Sequence, residues 1–178
     1  MKILIAGIGN VFHGDDAFGV EVVRRLASAP LPAGVSAVDF GIRSYDLAYA
    51  IADGCDAVIF VDAASHGERP GAVSLLELDP QKLTDAVAPA NGHSLNPVAV
   101  LQMVRAFGGT LGRLFLVGCQ PAVLDRDDGQ LELSPDVAAA VPKAVEMVRS
   151  LVKDLLEPKA QAWTDQKSGL AEAAMERR

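Results

Sequence analysis

The sequence predicts an α/β fold: a single three-layer α/β/α domain built on a twisted, mostly parallel five-stranded sheet with one antiparallel edge strand. Three observations lead there. Short uninterrupted apolar runs, Ile3-Leu4-Ile5-Ala6 and Ala57-Val58-Ile59-Phe60-Val61, suit strands buried on both faces. Segments of helical spacing alternate with such runs, and the order strand-helix-strand-helix-strand argues for a parallel sheet with right-handed crossovers. The chain has 178 residues, half of them apolar, which is one domain's length and enough for one continuous core.

Taken in order, the first strand ends at Gly7. After Gly14 the pattern Phe18, Val20, Val22, Val23, Leu26, mixed with Glu21, Arg24 and Arg25, is helical and stops before Pro30 and Pro32. Val35 to Asp39 reads as a second strand, Tyr45 to Ala52 as a short helix, and Ala57 to Val61 as a third strand, the most apolar. Gly71 to Leu78 is β-rich with a single charge, which marks an antiparallel edge strand. Residues 79–96 read as a long connection, and such loops inside compact domains tend to be functional. Asn96-Pro97 starts a helix with Pro at its first position, running to Phe107. A strand from Leu114 to Gly118 and a polar excursion from Pro121 to Gln130 follow. Ser134 is the expected N-cap of a last helix, whose Val137, Val141, Val145, Val148, Val152 and Leu155 recur at gaps of three and four. Past Pro158 composition shifts to Gln, Lys, Ala, Glu and Arg around an isolated Trp163. The expected organisation is a domain over 1–157 and a mobile tail over 158–178.

Composition excludes several classes of function. A net charge of -7, with no basic cluster longer than a pair, argues against nucleic acid. A pI near 4.9 and a mean hydropathy of +0.23 describe an acidic, well-packed chain rather than a disordered one. Cys55 and Cys119, far apart in apolar settings, read as reduced core residues of a cytoplasmic protein. The N-terminal apolar run is too short for a signal peptide, and no stretch is long enough to span a bilayer, so no membrane partner is expected.

The first loop, Gly7-Ile8-Gly9-Asn10-Val11-Phe12-His13-Gly14-Asp15-Asp16-Ala17-Phe18-Gly19, invites comparison with a dinucleotide fingerprint, and Asp39 stands where a ribose ligand would belong. The chemistry argues otherwise. Phe12 replaces the third glycine, and two carboxylates sit where a pyrophosphate needs bare N–H groups. Of the two, Asp15 is expected to cap the helix and Asp16 to face the site. Asp62 follows five apolar residues at the carboxyl end of a central strand, where the ligand crevice of a parallel sheet lies. Asp16 and Asp62 should therefore be neighbours. His93, in the long connection, completes a two-carboxylate, one-histidine set suited to Zn, Ni, Fe or Co with open coordination positions. His13 and His66 lie near the same edge without comparable support. No Ser or Cys has a plausible neighbouring base, and no His-Glu-x-x-His is present.

Gly7-Ile8-Gly9-Asn10 with Gly14-Asp15-Asp16, then Val61-Asp62-Ala63, Gly92-His93-Ser94, and Leu116-Val117-Gly118 before a Pro-containing loop, together resemble the hydrogenase maturation endopeptidases of nickel-iron hydrogenases. The resemblance covers about residues 1–155. It implies a cytoplasmic peptidase that removes a C-terminal extension from the hydrogenase large-subunit precursor after nickel insertion. It also implies that Asp16, Asp62 and His93 contact the metal and carry catalysis, the nickel being carried by the substrate, with zinc or cadmium as possible occupants in vitro. A monomer or weak dimer is expected. The family often has Glu where Asp16 stands and Gly where Ala17 stands. Two other readings compete: a non-enzymatic, metal-dependent binding module or chaperone, and a nucleotide-binding α/β protein.

Overall fold

The computed structural model describes residues 1–85, 97–122 and 131–157. The expected tail, with Trp163, lies outside them. Five strands form one sheet: β1 (Ile3–Ile8), β2 (Val35–Gly41), β3 (Ala57–Ala63), β4 (Val73–Leu78) and β5 (Arg113–Cys119). Their order is β2-β1-β3-β5-β4, every neighbouring pair being parallel except β4 with β5. The antiparallel edge strand anticipated from the sequence is β4.

The helices are α1 (Phe18–Ala27), α2 (Ser44–Ala52), α3 (Pro80–Asp85), α4 (Pro97–Ala106) and α5 (Pro135–Leu156). Residues 79–96 are thus not wholly a connection. Asp79 accepts hydrogen bonds from the backbone N–H of Gln81 and Lys82, which caps α3 and explains a helix too short to show periodicity.

Alternation along the central strands sorts their side chains into two layers. Ile3, Ile5, Ile59 and Val61 face α1 and α5, while Leu4, Ala6, Val58 and Phe60 face α2 and α4. That is why β1 and β3 read as continuous apolar runs: both faces are covered. Each large aliphatic side chain buried this way contributes about 1.5–3 kcal/mol. Pro142 falls inside α5 but on its exposed face, and the helix continues through it. Among the described residues, no helix is long and apolar enough to cross a membrane.

The topology defines one special place. From β1 the chain goes to β2 on one side, then returns across to β3 on the other side, so the loops leaving β1 and β3 diverge at the carboxyl edge. The start of α1 lies directly against this point. A Cβ on Gly19 would sit 2.0 Å from the Val61 carbonyl oxygen and 2.4 Å from that of Ile8, and one on Gly7 would sit 2.6 Å from the Gly19 carbonyl oxygen. These glycines exist for helix-to-strand approach. Gly19→Ala is expected to lower unfolding free energy by about 3 kcal/mol or more, because backbone rather than a movable side chain must yield, and urea denaturation will measure it.

Candidate functional site at the sheet switch point

The loop after β1 folds back on itself before entering α1. Gly9 has φ +128°, and a Cβ there would lie 1.7 Å from the Asp16 carbonyl oxygen, so no other residue fits. A 3₁₀ turn over Gly14–Ala17 then carries the two acids. The Asp16 N–H donates to the His13 carbonyl at 3.1 Å, and the Asp16 carboxylate accepts from the Asn10 N–H at 2.6 Å. Asn10 in turn accepts from the Phe12 N–H at 3.0 Å. Asp16 is thereby held at the mouth of the switch point, partly accessible.

Asp62 is the penultimate residue of β3, paired with Gly118 of β5, not the first residue beyond the strand. Its carboxyl is pushed up to about 8. Burial is the larger cause, the negative charge of Asp16 the next, and a hydrogen bond from the Ala63 backbone opposes both. Asp16 and Asp62 are therefore electrostatic neighbours, as the sequence anticipates. Their mutual repulsion is relieved by a proton or a cation placed between them.

His93 lies outside the described residues. Among those described, no group of three His, Cys, Asp or Glu side chains is arranged to hold a metal ion. His13 is exposed in the first loop. His66 is exposed in the loop after β3, its Nδ1 engaged with the Ala64 carbonyl at 2.8 Å.

One expectation is overturned. Asp15 does not cap α1, whose start has no side-chain cap. It is 3% exposed, and its carboxylate accepts from the N–H of Ala122 at 2.8 Å, the N–H of Ser134 at 2.7 Å and the Ser134 hydroxyl at 3.0 Å. Ser134 stands at the α5 cap position but its hydroxyl donates to Asp15 instead of accepting from a helix N–H. A buried carboxylate is stable only with such donors, and these come from 107 and 119 residues away. The 3₁₀ turn sends the two side chains apart.

Three further residues shape the rim, of which Arg43 and Gln120 carry no signal in the sequence. Asp39, at the end of β2, pairs with Arg24 of α1 at 3.5 Å. Arg43 donates to the backbone carbonyls of Asp39 and Phe40, closing the turn after β2. The Gln120 side-chain oxygen accepts from the N–H groups of His66 and Gly67 at 2.7 and 3.0 Å, fixing the loop that leaves Asp62. Cys55 and Cys119 are both free, and burial raises the thiol of each, that of Cys119 to about 11.

This α/β fold and its sequence have known relatives. The family model described as hydrogenase maturation protease matches residues 20–151. The hydrogenase 2 maturation protease of Escherichia coli K12 is 32% identical over 158 residues, 86% of this chain and 92% of the relative. The hydrogenase expression/formation protein HupD of Rhodobacter capsulatus is 32% identical over 152 residues, 84% of this chain and 71% of the relative. Among solved structures, the hydrogenase maturating endopeptidase HybD from E. coli superposes with a TM-score of 0.72 at 31% identity, covering 86% of this chain and 93% of that one. The chain belongs to the hydrogenase maturation protease family, and it is a peptidase.

Two outcomes test the geometry. Asp15→Ala leaves two backbone N–H groups unpaired and is expected to cost about 2–4 kcal/mol, read by urea denaturation. For Asp62 the folded carboxyl titrates near 8 and the unfolded one near 3.8, so the native state holds the extra proton between those values. Stability of the metal-free protein therefore falls as pH rises through that window. Asp62→Asn removes this contribution: the melting temperature of the variant minus that of wild type, measured with chelator present, should increase from pH 4 to 8 and level off beyond.

Proposed function

We propose that this protein is the endopeptidase that removes the C-terminal extension of a nickel-iron hydrogenase large-subunit precursor once nickel has been inserted. In this reading Asp16, Asp62 and His93 form an aspartic-type, metal-binding site, and the nickel they contact belongs to the substrate. The observation that supports it most is the raised carboxyl of Asp62 beside Asp16 at the switch point. Two oxygen donors that repel one another gain by sharing a cation, so a metal-loaded precursor is favoured over an empty one. Zinc or cadmium would take the same donors in vitro.

Hydrolysis of the peptide adds water across the C–N bond: hydroxyl joins the carbonyl carbon and a proton goes to the leaving amine. A carboxylate not fully engaged by the metal can accept the proton of the attacking water and pass one to the amine. Asp62 is assigned that task. Asp16, oriented by the Asn10 N–H, holds the substrate's metal. A substrate-borne divalent ion supplies Lewis-acid polarisation of a nearby carbonyl. We place the activity in the cytoplasm, where free Cys55 and Cys119 fit a reducing setting, and take the enzyme to act as a monomer or weak dimer.

Intact-mass spectrometry of a nickel-loaded large-subunit precursor, with a nickel-free precursor alongside, tests this reading. Wild type should release one discrete C-terminal peptide from the loaded form only. Asp16→Ala, Asp62→Ala and His93→Ala should each slow release at least 100-fold while circular dichroism stays that of wild type. Cutting that ignores nickel and survives His93→Ala would discard the site, and an unchanged mass with retained binding would support the binding-module reading.

A further inference from the structure

The exposed aromatic side chains among the described residues are Phe12, Tyr45, Tyr49 and Phe107. The two tyrosines, Tyr45 and Tyr49, are 67% and 61% exposed and stand one turn apart on the outer face of α2. Phe107, just past α4, stacks on Tyr49 with ring centroids 4.6 Å apart and planes at 5°. Ile42, 55% exposed, lies in the turn between β2 and α2, and Phe12, 67% exposed, lies in the loop after β1. These last two segments are joined at the carboxyl edge of the sheet, where the Gly9 N–H donates to the Gly41 carbonyl at 3.1 Å. The loop that carries Asp16 is thus tied to the turn that opens α2, and α2 to the end of α4, so the segments bearing these side chains follow one another from the site outward.

We propose that this stripe is the docking surface for the folded body of the hydrogenase polypeptide being processed, which deepens the function proposed above and rests on it. Burial explains none of these side chains. The other phenylalanines, Phe18, Phe40, Phe60 and Phe115, are all in the core, so the chain has interior room for aromatics and places these outside it. Tyrosine and other aromatics are the residues that dominate protein recognition, because they cover large area at low entropic cost. A solitary exposed apolar residue needs no explanation, but a row of five does. Continuity with the acidic site decides the occupant: a protein whose terminus reaches Asp16 and Asp62 has its body next to Phe12 and Ile42, and α2 is the surface beyond them. The stripe gives the enzyme a way to hold a folded precursor by more than a short peptide.

The test measures binding of the loaded precursor by biolayer interferometry and its cutting by intact mass, using the full chain. Tyr45→Ser/Tyr49→Ser should weaken binding at least tenfold and reduce processing at sub-saturating precursor by the same factor. Leu75→Ser/Leu76→Ser, on exposed positions of the distant edge strand β4, is the control and should change neither. If the double tyrosine variant loses the wild-type circular dichroism spectrum, Ile42→Ser carries the test, with a threefold or greater loss of binding expected. Binding lost in a protein whose wild type binds but does not cut would uphold the surface and sink the peptidase reading. Cutting and binding both unaltered by the substitutions would overturn the surface and leave the peptidase intact. A wild-type dimer that the tyrosine substitutions dissociate without loss of precursor binding would assign the stripe to self-association, and unaltered precursor binding with loss of a wild-type contact to residues 158–178 would assign it to the tail. Either result overturns the proposal.

Discussion

The close approach of Gly19 to the carbonyl oxygens of Ile8 and Val61 is the constraint on which the rest of the structure depends. It lets the first turn of α1 rest on β1 and β3 at once. The loop before α1 carries Asp16 and the residue after Val61 is Asp62, so the contact that seats the helix also brings the acids together. Gly7 and Gly9 serve the same end, one by admitting the helix and the other by letting the loop return over Asp16. Glycines that resemble a phosphate-binding loop are here packing glycines.

That arrangement stores an electrostatic conflict where it can be useful. Asp62 is half-buried near the end of a strand that has neighbours on both edges, and the Asp16 carboxylate is held by the Asn10 N–H, so the two charges are kept close. A carboxyl raised by burial and by a like charge at a sheet switch point is a physical marker of a functional site. The supporting groups are spread over the chain. Asp15 ties the first loop to the segments at Ala122 and Ser134, Gln120 ties down the loop after β3, and Arg43 closes the turn after β2. Each spends a polar side chain on backbone groups that a loop would otherwise leave to water.

Much of this was legible in the residues alone. Continuous apolar runs identified β1 and β3 as central, because only strands covered on both faces can be apolar throughout, and the charge within Gly71–Leu78 identified an edge. The 3.6-residue spacing of α1 and α5 was unmistakable for the same reason: one face of each is core. α3 was not legible, since six residues give less than two turns and no period. The alternation likewise pointed Asp62 to the ligand edge, because position along a strand is a one-dimensional quantity.

By itself the sequence determined the layers, the edge at which a site must lie and the presence there of acids from the first loop and from a central strand, all of which follow from periodicity and chain order. Only the tertiary structure decided which of the two adjacent acids is tied down inside and what holds it there. Asp15 and Asp16 are identical in chemistry and adjacent in order, and no local rule separates them. The difference comes from partners 107 and 119 residues away: donors that exist only once α5 has packed beside α1 turn Asp15 inward, and the same turn leaves Asp16 beside Asp62. Long-range hydrogen bonding is invisible to a periodicity argument because its partners share no fixed spacing.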